Sequence, residues 1–207
     1  MGSILEEPEF EYTKNSLLEI DEKNRQFAID IIDYVNDTSY AEDDEFFYDM
    51  LEFVRFNIDV DIAATDPQGL IYLNPPHGLK ITNWDFIYSH ECMHQLWNTF
   101  EVGDRIKAKG IEYNHELLNI SSDCVINDYL KFYRGKDMPN IGITPQSIEE
   151  TFGVVYDRRK DTQFTLYLKI LKSGKSAGSL SNQGWGDEKI KPKRVQKRGG
   201  LTPPPPP

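Results

Sequence analysis

The chain has 207 residues, enough for one domain with a substantial apolar core. Its 34 acidic and 23 basic side chains leave a formal charge of −11, which argues against a nucleic-acid or anionic-membrane binder. There is no apolar run of 18 residues and no basic-then-apolar secretory start in MGSILEEPEF, and two cysteines, Cys92 and Cys124, are too few for a disulfide scaffold; a cytoplasmic protein without a membrane span is expected.

Residues 1–13 read as an amino-terminal extension and 14–172 as a folded α+β, mainly helical domain. Apolar residues recur at helical intervals over 15–36 (Leu17, Leu18, Ile20, Phe27, Ile31, Ile32, Val35), with Asn36-Asp37 as a stop. A second helix is expected from Glu42 to Phe56, with a broad apolar face at Phe46, Phe47, Met50, Leu51, Phe53 and Val54. The period then changes to two, Phe56, Ile58, Val60 and Ile62 alternating with polar residues. With the turn Asp66-Pro67-Gln68-Gly69 and the apolar Leu70–Leu73, this predicts a β-hairpin over 56–73.

Asn74-Pro75-Pro76-His77-Gly78 must be loop. Thr82 or Asn83 can cap a helix running to about residue 101, with Asp85 in its first turn and Phe86, Ile87, Met93, Leu96, Trp97 and Phe100 as its apolar positions. Polar Gly103–Gly110 reads as a connection, and a helix opens at Asn114 or His115 and continues to about Tyr133. After a loop at 135–142, Thr144-Pro145-Gln146-Ser147 opens a short capped helix, and 162–172 forms one more.

Beyond residue 172 the composition collapses: 173–207 contain six of the 14 glycines and six of the 12 prolines and almost no aliphatic side chains. Such a segment is expected to be a disordered tail or linker ending in a polyproline run. It is also basic. Residues 172–207 hold eight basic and two acidic side chains, leaving a net of −17 on residues 1–171. An acidic body with a basic tether should attract a metal cation and favour neutral or basic peptides.

The chemistry lies in His90-Glu91-Cys92-Met93-His94, an H-E-x-x-H motif inside a predicted helix. Residues i and i+4 share one helix face about 5–6 Å apart, so both imidazoles can reach one zinc ion with Glu91 beside them. A carboxylate that is not a ligand can then act as general base toward an activated water. A catalytic zinc needs a third ligand, and the six-residue step of the three-histidine proteases falls on Phe100, which cannot ligate. The helix after residue 114 offers a polar stripe, Asn119, Asp123 and Asn127, through an otherwise apolar segment, and such a stripe is costly to bury without a partner. Asp123, anionic and central, is the best ligand; Glu116 and Asp128 are weaker candidates. Asn119 and Asn127 serve equally well to support a metal ligand, to contact substrate or to make helix-to-helix hydrogen bonds.

The joined pattern Ala63-Ala64-Thr65-Asp66, Tyr72-Leu73-Asn74-Pro75, the motif at 90–94, Asn119 to Asn127, and Thr144-Pro145 with Ser147–Glu150 resembles the metallopeptidase domain found beside von Willebrand A-like domains in bacterial and phage proteins. The resemblance covers roughly residues 14–171. It implies a zincin-like fold, Zn2+ held by His90, His94 and Asp123, and Glu91 as general base. It also implies a peptide or protein substrate, an AAA+ ATPase or von Willebrand A-like partner, and host cytoplasm if the protein is phage-encoded. No von Willebrand A-like sequence is present within the 207 residues, and Ser121 stands where relatives often have Ala.

The other candidates have bland alternatives. His77 could line the cleft or be a solvated loop residue, and His115 could stabilise an oxyanion or cap its helix. Tyr88 and Tyr113 are oxyanion donors by residue type only. Cys92, about 200° round the helix from His90, and Cys124 should be core thiols. Two functions are therefore expected: peptide hydrolysis, with the hairpin's edge receiving an extended substrate, or a non-proteolytic zinc-ordered interaction module. A fourth protein ligand closing the site would mark the second.

Overall fold

The computed structural model describes residues 20–41, 45–75, 79–178 and 180. The expected amino-terminal extension, His77 and nearly all of the expected tail lie outside the described residues.

Helix α1 (Glu22–Ala41) opens on Asp21, whose carboxylate accepts from Asn24 N–H at 3.1 Å, and it buries Ala28, Ile31, Ile32 and Val35 along one stripe. It runs through the expected stop at Asn36-Asp37, because Ser39 is buried and the Thr38 hydroxyl bonds back to Tyr34 O at 2.8 Å. The single helix expected over 42–56 is instead α2 (Glu45–Asp49), a 3-10 turn at Met50–Phe53 and strand β1 (Val54–Phe56). Val54 and Phe56 turn inward around half-exposed Arg55, which is strand spacing starting two residues early.

The sheet has order β1-β3-β2, with β2 at Ala63–Thr65 and β3 at Ile71–Leu73. β2 and β3 form the antiparallel hairpin, Thr65 opposite Ile71, whereas β1 pairs in parallel with β3, Val54 opposite Ile71. Of the strand expected at 56–62 only Phe56 is strand, as the end of β1, and 57–62 is corrected to a connection: Ile58 is 64% exposed, and Asn57 makes a local turn by accepting from Asp59 N–H at 2.9 Å. A parallel β1 requires the chain to swing away before returning, and the Asn74 side chain ties that swing down by donating to Val60 O and Asp61 O. Asp66 Oδ1 organises the hairpin turn, accepting from Gln68 N–H and Leu70 N–H at 2.9 and 3.0 Å around Gly69 at φ +90°.

Helix α3 (Trp84–Leu96) is the centre of the domain, buried continuously from Phe86 to His94. It ends earlier than expected. Asn98 adopts the left-handed conformation at φ 50°, ψ 51°, and the chain restarts as α4 (Thr99–Ala108), so most of the connection expected over Gly103–Gly110 is helix. The face of α4 that packs inward is narrow, chiefly Gly103 and Ile106, and the rest is charged, so its polarity concealed its periodicity. A Cβ at Gly103 would come within 3.3 Å of Tyr113 and Leu118, so this residue permits the close approach of α4 to the next helix. Helices α5 (His115–Phe132), α6 (Pro145–Phe152) and α7 (Gln163–Ser173) are capped by Asn114, Thr144 and Thr162, the last two with reciprocal capping boxes. Past Ser173, Ala177 and Leu180 are still buried, so packing continues beyond the expected boundary at 172.

Two apolar cores flank α5. One joins α1, α2, the sheet and α3 to Ile126 and Leu130; the other joins Leu117, Ile120, Cys124 and Val125 to α6, α7, Ala177 and Leu180. The architecture is α+β and mainly helical, and no described helix is long and apolar enough to cross a membrane.

Candidate metal centre

Helices α3 and α5 face each other through polar side chains. His90 and His94 project from one face of α3 toward Asp123 of α5, and all three are at most 3% exposed. His90 Nε2 and His94 Nε2 are 3.0 Å apart, and Asp123 Oδ1 is 3.5 Å from the first and 3.3 Å from the second. Ligand atoms about 2.1 Å from a tetrahedral zinc stand about 3.3–3.4 Å from one another, close to this triangle.

The outer partners orient these atoms. Asn127 Nδ2 donates to Ile143 O at 2.9 Å, which turns Oδ1 toward His90 Nδ1 at 2.7 Å. His90 Nδ1 must therefore be the protonated nitrogen, leaving the Nε2 lone pair facing the triangle. Thr99 Oγ1 lies 3.2 Å from His94 Nδ1 and can accept from it in the same way. Burial pushes the His90 imidazole below its ordinary pKa, so it is neutral as a ligand should be. Asp123 Oδ1 is buried without a hydrogen-bond partner of good geometry. A buried carboxylate oxygen beside two imidazole nitrogens suits a bound cation, and these three residues could hold a metal ion.

Glu91 is buried next to His90 but lies outside this triad, and no fourth His, Cys, Asp or Glu joins it among the described residues. Asn127, expected to support a ligand, contact substrate or bridge helices, is the residue that orients His90. Asn119 is not at the triad; it lines a neighbouring 190 Å3 cavity with Thr99, Tyr113 and His115. The cap of α5 is Asn114, so the capping alternative for His115 is corrected; its Nδ1 sits 3.2 Å from the Tyr113 hydroxyl. Asp128 is held by Arg158, and Glu116, on the first turn of α5, is likewise outside the triad. The Tyr88 hydroxyl donates to Phe47 O in the core, which removes it as an oxyanion donor. Cys92 and Cys124 are buried thiols, and burial pushes that of Cys124 well above its usual pKa.

Thr99 was not singled out from the sequence. It reaches His94 only because Asn98 breaks the helix, and no spacing rule anticipates that turn. No protein-family model matches the chain, and neither a curated protein nor a solved structure shows significant similarity to it.

Proposed function

We propose that this chain is a zinc-dependent metallopeptidase with a zincin-like site, in which His90, His94 and Asp123 hold the metal and Glu91 is the general base. The observation that carries the reading is the convergence of three ligand atoms within 3.0–3.5 Å, with the far nitrogen of His90 already committed to Asn127. Zn2+ held there supplies Lewis-acid polarisation of a peptide carbonyl and acidifies water. Glu91 takes the proton released as water attacks the carbonyl carbon and delivers it to the departing amine nitrogen as the C–N bond breaks. Three protein ligands leave one position for water or substrate, the pattern of a catalytic rather than a closed site. Strand β2 of the hairpin lies at one edge of the sheet, as β1 does at the other, and is the edge to which we assign an extended peptide.

The burial of all three ligands favours a second reading. In it, zinc orders the α3–α5 interface of an interaction module, with an AAA+ ATPase or von Willebrand A-like protein as partner, and no peptide is cut.

Metal analysis of the purified protein and of Glu91→Gln, followed by cleavage of an unfolded protein substrate, tests both. One zinc per chain in each protein, with cleavage lost in the variant, is the expected result. Zinc without cleavage in either protein selects the ordering role, and absence of bound metal from both after zinc loading overturns the site.

A further inference from the structure

On the side of α5 away from the triad lies a cleft of about 500 Å3, within the range of small-molecule sites. It is bounded by the end of α3, by α4, α5 and the segment leading into α7. Trp97, Tyr129, Tyr133, Tyr156 and Phe164 supply its walls. Trp97 and Tyr129 meet edge to face with centroids 5.0 Å apart, and Tyr133 leans on Tyr129 at 5.6 Å. Gln163, the first residue of α7, also lines the cleft; it is 5% exposed, and neither its amide nitrogen nor its amide oxygen has a hydrogen-bond partner among the described residues.

A buried primary amide with both ends unsatisfied is destabilising, and native structures contain few of them. A ligand presenting an adjacent donor and acceptor would satisfy both ends at once, as the edge of adenine does for a glutamine side chain. Aromatic walls are suited to the flat faces of such a ring.

The charges near the cleft are already matched. Arg158 donates to both carboxylate oxygens of Asp128, Lys169 is 2.6 Å from Asp161, and Arg105 is 2.9 Å from Glu101. A phosphate would meet no unshared cation among these, so the cleft suits an uncharged ligand. A peptide backbone repeats its donor and acceptor along a line and is met by a strand edge, whereas this cleft is bounded by helices and turns.

From these observations we infer that the cleft behind α5 is a second binding site, which takes an uncharged planar heterocycle with a donor and an acceptor on one edge, of the nucleobase or nucleoside class. The ring lies among Trp97, Tyr129, Tyr133, Tyr156 and Phe164, and its edge pairs with the Gln163 amide. This site does not depend on the metal reading.

The test is calorimetric titration of the full chain, zinc-loaded and metal-free, with adenosine, guanosine, cytidine and uridine, and with 1-methylindole as a ring lacking the paired edge. At least one nucleoside should bind with one-to-one stoichiometry in both metal states. Gln163→Leu should weaken that nucleoside about 10- to 100-fold. It should change 1-methylindole binding less than about twofold and raise the melting temperature of the ligand-free protein, since it removes an unsatisfied amide. Tyr133→Ala, at the exposed rim, should weaken both ligands and serves if the Gln163 variant fails to fold. The inference is overturned if no nucleoside binds below millimolar concentration, if Gln163→Leu weakens both ligands equally, or if tyrosine- and tryptophan-containing peptides bind the cleft and nucleosides do not.

Discussion

Two carboxylates on α5, five residues apart, meet opposite circumstances. Asp128 receives a guanidinium: Arg158 donates to both of its oxygens and stacks over Phe132 at 3.7 Å, so its charge is neutralised within the chain. Asp123 receives two imidazoles, and that of His90 is oriented to offer a lone pair rather than a proton. One is a closed ion pair and the other a cluster of three ligand atoms within 3.0–3.5 Å. The difference lies in what the partner brings: a permanent cation makes an ion pair, and neutral imidazoles leave a group that could hold a cation.

The largest expected effect breaks one member of this pair and spares the other. Asp123→Ala removes a ligand and should lower zinc affinity by more than about 100-fold, beyond the range for losses outside the coordination shell, as read by competition with a chromophoric chelator. Asp128→Ala should leave zinc affinity unchanged. It should cost about 1–3 kcal/mol in urea unfolding, because it strands Arg158, whose side chain is partly exposed and can be rehydrated.

Asn127→Leu sharpens the contrast by leaving the ligands in place and removing the group that fixes His90. Zinc affinity should fall about 10- to 100-fold. Thr99→Val should act in the same direction through His94 and more weakly, about 3- to 10-fold, because the contact it removes is 3.2 Å rather than 2.7 Å.

The smallest expected effect is a pH dependence of the metal-free protein. Burial keeps His90 neutral in the folded state below its ordinary pKa, so near pH 6.5 the unfolded chain binds more protons there. Stability should therefore rise with pH through that region and fall as the pH drops below it. Melting temperature against pH reads this dependence, and His90→Gln should flatten it.

Much of the fold and the meeting of His90, His94 and Asp123 was legible in the sequence, and the reasons are local. The caps at Asn114, Thr144 and Thr162 depend on side chains within three residues, so the starts of α5, α6 and α7 could be read directly. His90 and His94 share a helix face by periodicity, and Asp123 stood out as an anion within an apolar helix. The errors arose where a residue's role depends on distant contacts. The strand expected at 56–62 followed an alternation in sequence that the fold does not keep: β1 ends at Phe56 in parallel with β3, and Ile58 turns outward in the connection that follows. The helix at 99–108 was hidden because its inward stripe is narrow and Asn98 resets the backbone.

By itself the sequence determined the residue types of the His-His-Asp cluster, their placement on two helices and the mainly helical class, because periodicity and capping act within a few residues. Tertiary structure alone decided which of the acids reaches the imidazoles and which nitrogen of His90 bears the proton. It also decided where the Gln163 amide lies. Each of these depends on the packing of α5 between two cores, and a hydrogen bond or a ligand distance is set by that packing, to tenths of an ångström, between atoms tens of residues apart.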